Sequence, residues 1–293
     1  MVESSMIDLH CHTTASDSDK TPKEFIEEAA NANVTTVAIT DHDTVDGIVE
    51  ALNEGAKRGV RVIPGIELSA EVEHGRVHVL GYHIDYNDEN LINTLEKLNE
   101  GRRQRVPKIV EALQKAGINI TVDEVKKFAT GTIGRPHVAA ALVEKGYETS
   151  IKSAMSTGVL ADGGIADIKH KKLSPKECVE LITASGGIPV LAHPYQTKLD
   201  DKQLDMFIAS LVPFGLKGIE TVYSEHTEEM TSQYKALASK YNLIETGGSD
   251  WHGTIKPGIN LGVGRGNLNV PQKFVDQLDA IKLQREQEAT VDI

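Results

Sequence analysis

Short apolar segments of this chain end repeatedly in histidine, aspartate or glutamate. His10 and His12 follow Ile7-Asp8-Leu9, and Asp41, His42 and Asp43 follow Val37-Ala38-Ile39-Thr40. Glu67 follows Val62-Ile63-Pro64-Gly65-Ile66, and His78 lies in Val77-His78-Val79-Leu80. His193 follows Ile188-Pro189-Val190-Leu191-Ala192, and Asp250 and His252 follow Thr246-Gly247-Gly248-Ser249. Imidazole nitrogen and carboxylate oxygen are ligands for divalent cations. In His10-Cys11-His12 the two imidazoles share one side of a strand, as a shared cation requires, and Cys11 points the other way. Asp250-Trp251-His252 repeats that spacing with one carboxylate and one imidazole. Glu67 has two oxygens and can bridge two cations. A single strand-end histidine is more often structural, but the recurrence of the pattern points to a multinuclear metal site.

The elements that must position these residues read as alternating strands and helices over 6–85. Thr21-Pro22-Lys23-Glu24 is a helix start with threonine at the N-cap, proline at N1 and glutamate at N3. Strands are expected over 34–40, 60–66 and 77–84, with a helix over 48–57 and a turn at Val72-Glu73-His74-Gly75-Arg76-Val77. Residues 89–116 carry a helical pattern rich in Leu, Glu, Lys and Arg, interrupted at Gly101 and Pro107. Shorter helices are expected over 121–129 and 135–145, then a polar loop over 148–171. The alternation resumes with helix 174–185, strand 188–192, helix 201–213, strand 217–222, helix 226–240 and strand 243–246. This pattern predicts a mostly parallel sheet, 1–93 with 172–293, interrupted by a helical insertion over 94–171. In barrels of this kind the strand C-terminal ends converge on the face that carries the chemistry.

Composition narrows the function. A net charge of −12 argues against broad binding to duplex nucleic acid, which needs a basic face. It leaves room for a small anionic substrate, because bound cations reverse the local field. The two cysteines, Cys11 and Cys178, form no C-x-x-C pair, so neither a disulfide framework nor a cysteine-rich zinc site is expected. Cys11 reads as a buried small hydrophobe. The N-terminus lacks the basic and apolar regions of a signal peptide, and no apolar run reaches the roughly 20 residues of a spanning helix. A soluble, cytoplasmic protein that meets no membrane is the expectation.

The motifs resemble those of the PHP (polymerase and histidinol phosphatase) family. Its blocks are similar to His10-x-His12 with Ser16-Asp17, Thr40-Asp41-His42-Asp43, Pro64-Gly65-Ile66-Glu67 followed by His78, Ala192-His193-Pro194, and Gly248-Ser249-Asp250-Trp251-His252. They occur in order over nearly the whole chain. The resemblance implies an α/β fold, a distorted (β/α)7 TIM-like barrel with a helical insertion, and two to three divalent metal ions (Mn, Fe or Zn). It further implies a first metal on His10, His12, Glu67 and Asp250. A second would take Glu67, His78 and His193, and a third Asp17, His42 and His252. Glu67, His10, His12 and Asp250 would be the catalytic set, and a bridging water would become the hydroxide that attacks phosphorus.

Within the family the chain is most similar to a branch of small phosphoesterases that includes a nucleoside 3′,5′-bisphosphate phosphatase and a 5′-to-3′ exoribonuclease. A nucleotide or short RNA is then the implied substrate, and mono- or diester hydrolysis the implied reaction. Arg135-Pro136-His137 resembles the branch's phosphate-gripping pair in the insertion. One departure matters. Relatives often follow His-Pro with Gly-Arg, whereas here the run is His193-Pro194-Tyr195-Gln196, so one phosphate contact is missing.

Other residues are open to two readings. Asp8, Asp41 and Asp43 are candidates for orienting ligand histidines or, for the last two, for capping a helix. His226, after strand 217–222, is a candidate substrate contact or a polar helix start. His74 and His83 read as structural or surface residues. Lys169, His170, Lys171 and Lys172 read as a solvated face or a guide for a polyanion. Gly262-Val263-Gly264-Arg265-Gly266 lacks the Lys-Ser/Thr of a P-loop and reads as a turn-rich tail. Two rival functions remain: an amidohydrolase-type hydrolase using the same cations, and a noncatalytic PHP binding module.

Overall fold

The computed structural model describes residues 6–128, 133–156, 158–161, 163–168 and 172–291. Lys169, His170 and Lys171 lie outside them. The chain divides into two compact units, Met1–Asn93 with Lys172–Ile293, and Thr94–Lys171.

In the first unit the order is β1 (Met6–Cys11), α1 (Pro22–Asn31), β2 (Val34–Ile39), α2 (Ile48–Arg58), β3 (Arg61–Ser69) and β4 (His78–Tyr82). The helices α3 (Glu89–Lys115), α4 (Val122–Lys126), α5 (Arg135–Glu144) and α6 (Ile151–Ser156) follow. Then come α7 (Pro175–Ala184), β5 (Ile188–Leu191), α8 (Asp201–Leu211), β6 (Gly218–Tyr223), α9 (Glu228–Lys240), β7 (Ile244–Gly248) and α10 (Gln272–Val291). The starts of α1, α4, α7 and α8 are fixed by capping boxes: Thr21 with Glu24, Thr121 with Glu124, Ser174 with Glu177, and Asp200 with Gln203.

The seven strands form one sheet in sequence order. β1, β2 and β3 run parallel, as do β5, β6 and β7, but β4 is antiparallel to both of its neighbours. The sheet nearly closes into a barrel. The His12 N–H donates to the Trp251 carbonyl at 3.0 Å and the Asp250 N–H to the His10 carbonyl at 2.9 Å. The barrel is filled by Ile7, Leu9, Ala38, Ile63, Leu80, Tyr82, Ile188 and Val190, with Phe274, Val275 and Leu278 of α10 packed on them. The second unit has its own core, in which Val106, Ile109 and Leu113 meet Val125, Val138 and Leu142.

Three sequence-based expectations need correction. Gly101 and Pro107 do not interrupt the 89–116 helix, which is continuous over Glu89–Lys115. Pro107 lies on an exposed face, where the carbonyl that loses its partner meets water. The polar stretch 148–171 contains the short helix α6. The turn-rich segment at 262–266 leads into the 20-residue α10, whose Phe274, Val275, Leu278 and Ile281 form a helical stripe.

Candidate metal centre

The nine ligand-type residues meet at one end of the barrel. His10 and His12 come from the end of β1, His42 from the loop after β2, and Glu67 from β3. His193 follows β5, and Asp250 and His252 follow β7. His78 opens its strand rather than closing it. Because β4 runs backwards, its first residue pairs with Ser69 at the far end of β3 and lies on the same face as the other strands' last residues.

Glu67 is the hub. It is fully buried, and its two oxygens divide the histidines between them. Oε1 lies 2.8 Å from His78 Nδ1 and 2.9 Å from His193 Nε2. Oε2 lies 3.1 Å from His10 Nε2, 3.2 Å from His12 Nε2 and 3.2 Å from His42 Nδ1. Asp250 Oδ1 stands 3.2 Å from His12 Nε2 and 3.4 Å from His252 Nδ1. His252 Nε2 is 3.3 Å from Asp17 Oδ1, and His42 Nε2 is 3.9 Å from Asp17 Oδ2. Among the described residues the candidate donor atoms form three overlapping groups: His12, Asp17, His42 and His252; His10, His12, Glu67 and Asp250; and His42, Glu67 and His78.

This donor set fits divalent cations. Neighbouring ligand atoms around a cation at about 2.1 Å stand roughly 3.0–3.4 Å apart, close to the spacings around Glu67 and Asp250. His12 Nε2 and His42 Nδ1 are buried with no hydrogen-bond partner among the described residues. Buried polar atoms are nearly always satisfied, so unsatisfied ring nitrogens facing carboxylates have the character of ligands rather than core histidines.

The electrostatics agree. Burial pushes the Glu67 carboxyl up, but the surrounding His42, His10 and His78 hold it well below the usual carboxylate range. Burial likewise opposes ionisation of Asp250, and His10, His12 and His252 outweigh it. Burial holds the His42 and His252 imidazoles down, which keeps them neutral and able to ligate. Burial also works against a proton on His12, yet contacts with Asp250 and Glu67 push its pKa up to about 9. A cation shared by these three groups must displace that proton.

Two of these ligand-type residues are held in left-handed backbone: His193 at φ 24° and Asp250 at φ 58°. Non-glycine residues pay on the order of 1–3 kcal/mol for such conformations, which persist where the surroundings over-determine them.

Around these side chains stand residues that orient them. Glu220 in β6 was not singled out from the sequence. It is fully buried, and it accepts from His10 Nδ1 at 2.9 Å and from the His193 N–H at 2.7 Å. It thereby turns His10 Nε2 toward Glu67. The signal was present in Gly218-Ile219-Glu220-Thr221-Val222, where a glutamate interrupts a strand with no exposed partner. Tyr223 Oη and Lys256 Nζ both donate to Asp250 Oδ2, at 2.7 and 2.6 Å, which leaves Oδ1 to the histidines. Asp41 accepts from the Thr13 N–H, the Thr13 hydroxyl and the Ser16 hydroxyl, so it shapes the loop that carries Asp17. Asp8 accepts from the Ser249 and Gly262 N–H groups, and Asp43 from the Ser69 N–H.

Arg135, His137 and His226 are the remaining candidates. In the second unit, an Arg135 guanidinium N–H donates to the Leu160 carbonyl, and His137 Nδ1 accepts from the Gly134 N–H at 3.0 Å at the start of α5. In the barrel unit, His226 is buried among Tyr195, Tyr223 and Tyr234. Its Nδ1 donates to the Thr221 carbonyl at 3.1 Å, and its Nε2 has no partner among the described residues.

Fold and site together define a class: a nearly closed seven-stranded α/β barrel whose open face gathers His/Asp/Glu clusters suited to metal. The PHP domain family model matches residues 8–183, more than half of the chain. The chain belongs to the PHP family. It is 34% identical to a phosphoribosyl 1,2-cyclic phosphate 1,2-diphosphodiesterase from Eggerthella lenta, over 84% of this chain and 94% of the relative. It is 30% identical to a 3′,5′-nucleoside bisphosphate phosphatase from Chromobacterium violaceum, over 87% of this chain and 90% of the relative. A solved amidohydrolase from Chromobacterium violaceum, with bound sulfate and no metal, superposes with a TM-score of 0.78 at 28% identity and covers 94% of this chain and 97% of its own. Among the described residues, no helix is long and apolar enough to cross a membrane.

Proposed function

We propose that this protein is a metal-dependent phosphoesterase that hydrolyses small phosphate esters, of the nucleotide or short oligonucleotide class. The observation that carries this reading is the division of the histidines between the two oxygens of Glu67. A carboxylate so placed spans two neighbouring cation positions. In this reading His10, His12, Glu67 and Asp250 hold one cation, Glu67, His78 and His193 a second, and Asp17, His42 and His252 a third. Two to three ions of Mn²⁺, Fe²⁺ or Zn²⁺ suit these mixed nitrogen and oxygen donors.

Bound there, the cations would supply a water ionised near neutral pH and neutralise charge gathering on the phosphoryl oxygens. The chain's own residues do the rest. Glu220 fixes the His10 ring, and Tyr223 and Lys256 hold Asp250 by one oxygen. The neutrality of His42 and His252 leaves three carboxylates against the cations, so the open face is net positive inside an acidic protein. Arg135 and His137 of the helical unit, and the buried His226, are assigned to substrate contacts. Support for phosphate comes from relatives whose names give a cyclic phosphodiester and a nucleoside bisphosphate as substrates.

The test is hydrolysis of p-nitrophenyl phosphate, bis-p-nitrophenyl phosphate, a nucleotide panel and short RNAs by protein loaded with Mn²⁺. Release of phosphate or cleavage of a diester that depends on the metal and is lost with EDTA is expected. Hydrolysis of amides alone would overturn the reading in favour of an amidohydrolase, and metal binding without any hydrolysis would favour a binding module.

A further inference from the structure

Of the three residues assigned to the third cation, His42 and His252 stand close behind strands, but Asp17 does not. It lies midway along the connection between β1 and α1, with about half of its side chain exposed. A carboxylate on an exposed loop is placed only as well as the loop itself is held. Asp17 Oδ1 nevertheless stands 3.3 Å from His252 Nε2 and 3.8 Å from His12 Nδ1. His252 Nδ1 donates to the Asp250 carbonyl at 2.9 Å, which leaves Nε2 without a proton and turned toward Asp17.

Two tethers hold the connection. The inner one is the buried Asp41, which accepts from the Thr13 N–H and from the Thr13 and Ser16 hydroxyls. The outer one is Asp19. Its Oδ1 accepts from the Thr254 N–H at 2.8 Å, and its Oδ2 accepts from the Thr254 hydroxyl at 2.5 Å. Asp19 is two residues beyond Asp17, and Thr254 is two residues beyond His252. One pair of side chain and backbone groups thus fastens the two loops at the same offset from the residues they carry.

Each partner in this contact is itself anchored. The Thr14 N–H donates to the Lys20 carbonyl at 2.8 Å, and Lys20 pairs with Glu28 of α1 at 3.0 Å. Thr21 then caps the same helix. On the other loop Gly253 lies at φ +65°, and a Cβ there would stand 1.9 Å from Asp19 Oδ1 and 3.0 Å from Lys20 Cγ. Only a glycine lets the two loops approach this closely.

We propose that Asp19, Gly253 and Thr254 form a clamp that sets the occupancy of the third cation position by holding Asp17 against His252. This role rests on the metal-dependent reading of the cluster and deepens it. None of the three is a ligand; they are positioning residues. The two positions that share Glu67 draw on buried side chains at strand ends, so they do not need the clamp. The third draws one of its carboxylates from a loop. With the clamp released, Asp17 is free to turn into water, and the protein keeps two ions instead of three. The third ion is therefore the exchangeable one.

The test uses full-length protein loaded with Mn²⁺. Native mass spectrometry counts the ions, and competition with a chelating dye gives the affinity of the last one. The variants are Asp19→Ala, Thr254→Val and Gly253→Ala, with Asp19→Asn and Thr254→Ser as conservative replacements. Asparagine keeps an acceptor for the Thr254 N–H, and the Thr254 hydroxyl can turn to accept from its amide. The parent should hold three ions. Asp19→Ala and Thr254→Val remove exposed hydrogen bonds and should weaken the last ion about three- to tenfold. Gly253→Ala should weaken it at least tenfold, and the first two ions should stay as in the parent. Asp19→Asn and Thr254→Ser should stay within about twofold of the parent. Should Gly253→Ala not fold, the two exposed positions, Asp19 and Thr254, decide the matter. Parental affinity for the last ion in both Asp19→Ala and Thr254→Val overturns the clamp and leaves the metal centre intact. A loss in Asp19→Asn as large as in Asp19→Ala overturns it in favour of charge acting through space. A parent with two ions overturns the clamp alone, and a parent with none overturns the clamp and the metal-dependent reading together.

Discussion

Glu220→Gln should weaken the metal centre without touching a ligand. Glu220 accepts two hydrogen bonds in a fully buried site, from His10 Nδ1 at 2.9 Å and from the His193 N–H at 2.7 Å. Glutamine keeps the volume but offers one acceptor oxygen and a donor amide. One of the two donors then faces another donor, and the ring that turns toward Glu67 loses the negative charge that makes its Nε2 a stronger ligand. Substitutions of carboxylates that orient a ligand histidine cost about ten- to a hundredfold in metal affinity or activity. At 1.36 kcal/mol per decade this is roughly 1.4–2.7 kcal/mol. The assay is competition with a chelating dye, paired with kcat/KM on an aryl phosphate and with a melting curve. A Glu220→Gln protein that stays folded and matches the parent within twofold in both affinity and kcat/KM would refute the orienting role. Glu220→Asp, which keeps the charge on a shorter stem, should recover part of the loss.

Other outcomes follow from the same geometry. Glu67→Ala should lower kcat/KM on the order of a thousandfold, since it removes the group common to both halves of the cluster; activity within tenfold of the parent with metal retained would show the assignment wrong. Metal uptake should release protons, because His12 with its pKa pushed up to about 9 must lose one to ligate. Below that value apparent affinity should fall as pH falls, by about tenfold per unit for this ligand, and pH-independent titrations between pH 6 and 8 would contradict it. Gly248→Ala places a Cβ 2.4 Å from His10 Cβ, against the strand that carries two ligands, so it should lower stability by about 1–3 kcal/mol in a denaturant melt and reduce metal content.

Much of the centre was legible because metal ligands are local statements. A histidine pair two apart, or an Asp-x-His, announces a shared face before any fold is known, and these motifs lay at the ends of apolar strands. The strands themselves were legible from their apolar runs, and α1 from its capping residues. What was missed depended on partners distant in sequence. The reversal of β4, which brings a strand-opening His78 to the same face as the other strands' last residues, is a property of pairing with β3 and β5. Glu220 is an ordinary-looking glutamate until β1 and β6 bring His10 to it, 210 residues away. Gly101 and Pro107 were overweighted because propensity treats helix breakers alike, whereas an exposed proline leaves its unpaired carbonyl to water.

In the proposed metal centre the two oxygens of Glu67 face two cation positions. The most direct measurement is an anomalous difference map from crystals of the full-length protein loaded with Mn²⁺. At least two peaks are expected, one on the Oε2 side among His10, His12 and Asp250 and one on the Oε1 side beside His78 and His193. A single peak remote from Glu67, or no peak in protein that elemental analysis shows to be loaded, would contradict it.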